Sequence, residues 1–227
     1  MATAAGGRRV EAACAYANLL QGIATGELIM AAILTSLYRT LAAGVVLLIA
    51  IIIVVGVVTG RFIKPDFNWW TFFMRWLHVL SGVMWIGILW YFNFVQIPTV
   101  PKIEPAEHRA AITKFIAPEA LFWFRYGALS TVVTGLLLAW MNGYILQALT
   151  LQRGVVAIGI GMWLALIMAF NVWFIIWPNQ QRALGLVDYP ADKKPEAARL
   201  AMLVSRTNTA LSIPMLFCMV AQQNAGL

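Results

Sequence analysis

Residues 76–97 read WLHVLSGVMWIGILWYFNFVQI. The stretch contains no Asp, Glu, Lys or Arg and is long enough to cross a bilayer as a helix. Inside it stands one titratable ring, His78. Such a group is costly in hydrocarbon, so it is expected to face a partner, a cofactor or a cavity. His78, Gly82 and Trp85 follow one another at i, i+4 and i+7 and share one helix face. An imidazole beside a residue with no side chain admits a flat cofactor such as heme b. The competing reading is a histidine that bonds a carbonyl of a neighbouring helix.

The rest of the chain agrees with a membrane setting. Of 227 residues, 62% are hydrophobic and 11% are charged, and the mean hydropathy is +0.80. A water-soluble domain of this size could not cover its surface with so few polar groups. The apolar runs are too long and too continuous for barrel strands, so the fold class is all-α, a polytopic helical membrane bundle. Five runs are long enough to span: residues 41–59, 72–97, 121–141, 155–177 and 200–221. Pro118 and Glu119 mark a start for the third and Pro178 an end for the fourth. Residues 13–38 contain Gln21 and Glu27 and read as an interfacial or weakly spanning element. The organisation expected is an N-terminal segment, residues 1–40, followed by a transmembrane helical domain, residues 41–227.

The net charge is +7, and the basic residues lie between the apolar runs. That pattern sets topology and meets anionic headgroups; it is not a nucleic-acid surface. With five spans and the N-terminus inside, Arg8, Arg9, Arg39, Lys102, Arg109, Lys114, Arg182, Lys193, Lys194 and Arg199 are inside. Only Arg61, Lys64, Arg75 and Arg153 are outside, so the bias favours N-in and C-out. Cys14 and Cys218 are far apart and form no Cys-x-x-Cys pair, and Cys-x-x-Cys-His is absent, so no covalent heme c is expected on this chain. Arg8 and Arg9 are not followed by a clean apolar core and cleavage site, so no removable signal peptide is expected.

In this frame Asn93, Arg125, Asn179, Arg206 and Asn208 fall at one depth, and His78 nearer the other face. Two arginines with almost no intramembrane carboxylate invite an anion such as a lipid phosphate or a heme propionate. Both are also shallow enough to snorkel to headgroups. No Ser/His/Asp set, paired carboxylates or Gly-rich phosphate loop is present. His108, in KIEPAEHRAAITKF, sits among charges on an amphipathic surface helix. The ten methionines are scattered as packing residues rather than clustered as copper ligands.

RWLHVLSGVMWIG, APEALFWFRYGALSTVVTG and NVWFIIWPNQQR followed by SRTNTALSIPMLF resemble, in order, the membrane domain of the bacterial membrane-bound urate hydroxylases, the urate oxidase N-terminal domain family. The resemblance runs from about Trp69 to the C-terminus. It implies a helical bundle in the bacterial cytoplasmic (inner) membrane and, in full-length members, a cytochrome c domain that passes electrons on. This chain departs from the pattern: Ala120, Phe122 and Thr207 stand where histidines are usual, Arg125 where a lysine is usual, and the cytochrome c domain is not seen. Of the intramembrane ligands only His78 remains, and one histidine cannot make a bis-histidine heme. The function expected is a non-catalytic integral subunit of a larger membrane assembly of redox type. The alternative is an oxidoreductase binding heme b, with His78 on the iron and Gly82, Trp85, Arg125 and Arg206 around the group, acting on a purine or a quinone-like substrate. The partners expected are membrane lipids and other integral membrane subunits, contacted mainly through residues 1–60.

Overall fold

The computed structural model describes residues 30–224. Most of the N-terminal segment expected to be interfacial, with Cys14, Gln21 and Glu27, lies outside the described residues. The chain divides into two compact units, Met1–Lys64 and Pro65–Leu227.

In the first unit, α1 spans Leu37–Thr59. It is apolar all round, so no face is set apart for water, as suits a helix whose backbone must satisfy itself in hydrocarbon. Gly60 ends it in the left-handed conformation, φ 66°, which costs glycine nothing. The Phe62 ring then folds back onto Gly56, where a Cβ would come within 2.9 Å of it. Gly56 is the one buried residue of α1.

The second unit holds four long helices: α2 (Phe67–Lys102), α3 (Ala106–Met141), α5 (Val156–Leu184) and α6 (Ala191–Ala221). A short helix, α4 (Ile145–Leu149), lies between α3 and α5. With α1, five helices are long and apolar enough to cross a membrane, and the chain reads as a multi-pass membrane protein.

All four helices outrun the apolar runs that announced them. Pro118 does not start α3, Pro178 does not end α5, and Pro98 lies inside α2. Proline lacks the N–H for an α-helical bond, and its ring collides with the carbonyl four residues back. Here each proline is preceded by a wider π-helical segment that takes up the collision: Tyr91–Gln96, Ile112–Ile116 and Asn171–Ile176. Each segment ends two residues before its proline. The helix therefore continues with a shifted face instead of breaking. KIEPAEHRAAITKF is helical from Ala106 and runs without interruption into the apolar part of α3, with His108 exposed.

The four helices run up, down, up and down. α2 packs along α3 and α5 along α6. Gly127 brings α3 so close to α2 that a Cβ there would sit 3.2 Å from the Trp85 backbone nitrogen, the approach small residues permit between membrane helices. The core gathers around Trp85, Leu89, Phe124, Met168 and Val172. A smaller cluster of Ala139, Ala148, Ile158 and Met162 seats α4. Gln222, beyond α6, ties the start of α5 by accepting from Ile158 N at 3.3 Å and donating to Gly154 O at 2.7 Å.

Candidate functional site

A cavity of about 610 Å³ lies among α2, α3, α5 and α6, a size typical of small-molecule sites. Half of the residues in its wall are Val, Leu, Ile and Met. His78, Gly82 and Trp85 all line it, and Arg75, Tyr144 and Asn224 stand among its few polar residues.

His78 is held from α3. Its Nδ1 lies 3.0 Å from the Thr131 carbonyl oxygen and 3.2 Å from Thr134 Oγ1. A carbonyl only accepts, and Thr134 Oγ1 already donates to Ser130 O at 2.6 Å. Nδ1 therefore carries the proton, and in the neutral ring Nε2 keeps its lone pair. Among the described residues no hydrogen bond reaches Nε2. The neighbour that makes room for the ring is Gly135 on α3, where a Cβ would lie 2.7 Å from His78 Cε1. Gly82 leaves open space: a Cβ there would meet only Thr131 Cγ2, at 3.9 Å.

A histidine fixed through Nδ1 with Nε2 free is the arrangement that supports an axial metal ligand. The residues fit a heme b that His78 would hold through Nε2 and Arg75 would meet at a propionate; such a group would supply one-electron chemistry. They do not fit a group that needs a second histidine. Arg75 Nε and Trp85 Nε1 are buried with no acceptor among the described residues. Burial pushes the Tyr144 phenol up, and the Arg75 charge opposes this in part, so Tyr144 stays protonated as an O–H donor at neutral pH.

The polar residues at the other end of the bundle do not gather into one cluster. Asn93 donates to Ser205 Oγ at 2.8 Å, Asn171 to Asn208 Oδ1 at 2.8 Å, and Asn208 to Met168 O at 2.9 Å. These bonds join α2 and α5 to α6. Arg125 stacks its guanidinium 3.2 Å above the Trp177 ring, and its Nη1 is buried without a partner among the described residues. Arg125 lies six residues before Thr131 on α3, about 9 Å of rise away, so it belongs to a different level from His78. Arg206 is exposed and joins none of these bonds.

Arg125→Lys keeps the charge and loses the planar stack. It is expected to cost about 1 kcal/mol in detergent unfolding followed by tryptophan fluorescence. A variant as stable as the parent would show that the stack contributes nothing.

Sequence reasoning grouped His78, Gly82 and Trp85 from their spacing and missed the residues that complete the cavity. Arg75 read as a loop charge, and Tyr144 and Gly135 had no periodic signal linking them to α2. No curated protein and no solved structure matches the chain. The model of the urate oxidase N-terminal family matches residues 140–225, which carry α4, α5 and α6. Over that segment the chain is similar to the urate oxidase N-terminal family.

Proposed function

We propose that this chain is an integral subunit of a larger redox assembly in a bacterial inner membrane, and that it does not itself oxidise urate. The observation that carries this reading is the cavity, which among the described residues offers one histidine and neither a second imidazole nor a carboxylate to complete a catalytic set. Support for a partner comes from the outer faces. Phe122 and Thr207, two positions at which the family resemblance leads one to expect histidines, point away from the bundle. α1 exposes nearly all its apolar side chains. At Gly44 even a Cβ would meet nothing within 4 Å, so a partner's backbone can approach there.

The full chain, affinity-tagged and purified from native membrane in mild detergent, is expected to bring further integral subunits with it at fixed ratio. Recovery of the chain alone, still folded, would count against the proposal. The isolated chain is expected to leave urate absorbance unchanged in the presence of oxygen or an artificial acceptor.

A second reading, a heme b oxidoreductase, is favoured by the free Nε2 of His78. The visible spectrum separates the two: a Soret band with reducible α and β bands in the purified chain supports heme.

A further inference from the structure

Two hydrogen bonds join α2 to α6 beyond one end of the cavity, and the residues that line it between these helices are exposed. Trp90 Nε1 donates to Ser212 Oγ at 3.0 Å, and together with the Asn93–Ser205 bond this pins α2 to α6. On the His78 side of that pin no hydrogen bond among the described residues joins the two helices. There Val79 and Val83 of α2 and Leu216 and Val220 of α6 line the cavity, yet they are 57%, 67%, 36% and 60% exposed. A gap between spanning helices, rimmed by valine and leucine, opens onto hydrocarbon rather than water. An occupant that enters this way is dissolved in the bilayer and exchanges with it.

The polar end of the cavity states what that occupant must present. His78 Nε2 is a lone pair with no donor among the described residues. Arg75, one turn before His78 on the same face, has an N–H without an acceptor among the described residues, and Tyr144 adds a hydroxyl. A complementary ligand has an apolar body, an O–H for His78 and an oxygen lone pair for Arg75 or Tyr144.

The geometry points to a lipid-soluble quinol as the ligand of this cavity, bound with a ring hydroxyl donating to His78 Nε2 and its tail leaving between α2 and α6. This rests on the reading of the chain as a subunit of a redox assembly and names the ligand of the site; it is an assignment of binding.

The test uses the full chain in lipid nanodiscs, with decylubiquinol and decylubiquinone as probes. Trp85 and Trp90 both line the cavity, so quenching of tryptophan fluorescence reports occupancy. Saturable quenching is expected, with the quinol bound about tenfold more tightly than the quinone, which has no O–H and leaves Nε2 unpaired. His78→Leu is expected to remove that preference. Gly82→Leu, which places its side chain in open space and leaves the His78–Thr131 bond intact, is expected to abolish binding of both probes while helicity by circular dichroism is retained.

Lack of saturable quenching in the folded parent would overturn the assignment, as would equal affinity for the two probes or binding insensitive to Gly82→Leu. A stoichiometric Soret band would give the cavity to heme instead. Co-purifying subunits without quinol binding would remove this ligand and leave the subunit reading standing. Quinol binding by a chain that purifies without partners would do the reverse.

Discussion

Gly159→Ala is expected to loosen the junction of α4 and α5, whereas Gly161→Ala, two residues further on, is tolerated. A Cβ on Gly159 would overlap the carbonyl oxygen of Ala148 and press on the Leu151 side chain. A backbone carbonyl cannot rotate aside as a side chain can. The loop behind it has little room to yield, because Leu151 already holds φ 55° and Gly154 φ 88°, conformations unfavourable to a side chain. At Gly161 the nearest atoms are side chains, Cys218 Cβ and Met219 Cε, both at 3.3 Å, and the methionine is flexible. Overpacking costs typically about 1–3 kcal/mol. The Gly159 variant is placed at the top of that range, about 3 kcal/mol, and the Gly161 variant below about 1 kcal/mol. Thermal unfolding in detergent, followed by tryptophan fluorescence, measures both. Equal losses in Tm would contradict the close approach of Ala148 to α5. The bond from Trp163 Nε1 to Leu149 O, 3.0 Å, fixes α4 from the neighbouring turn, so Trp163→Phe should weaken the same junction to a smaller extent.

Asn208→Leu is the second large effect. Asn208 is 0% exposed; it accepts from Asn171 and donates to the Met168 carbonyl. Hydrogen bonds between membrane helices contribute on average only about 0.6 kcal/mol each and at most about 1.7, because the unfolded chain in lipid finds other partners. This substitution removes two bonds and strands the Asn171 amide inside the bundle, where an unpaired polar group costs about 1–3 kcal/mol. A loss of about 2–3 kcal/mol is expected. Asn171→Leu in the same background should then cost little more, since its partner is already gone. Losses that simply add would show that the two asparagines do not act as a pair.

Much of the architecture could be read directly from residue order. The absence of charge over residues 76–97 and the four other apolar runs gave five spans, because hydrocarbon excludes any backbone that does not bond to itself. The prolines misled as to span ends. Pro98, Pro118 and Pro178 are ordinarily stop or start signals, and nothing local announces that a π-helical turn will absorb each of them. That outcome depends on packing: Asn93 and Asn171 lie in two of these segments, and both donate to α6. A shifted helix face turns them toward Ser205 and Asn208.

The site divides in the same way. Spacing within one helix put His78, Gly82 and Trp85 on a common face, since three residues of one α-helix have no freedom to do otherwise. Spacing could not reveal that Gly135, rather than Gly82, receives the imidazole, or that Thr131 fixes its tautomer. Nor could it bring Arg75 and Tyr144 to the same cavity, or send Arg206 to the outer surface while Arg125 stacks on Trp177. Those relations join helices distant in sequence, and they are fixed by which glycines allow close approach and which polar groups find partners. Composition and periodicity thus determined a five-span helical membrane protein with one histidine on an apolar face. Only the packing of α2, α3, α5 and α6 decided that this histidine borders a cavity, because contacts between helices carry no period in the sequence.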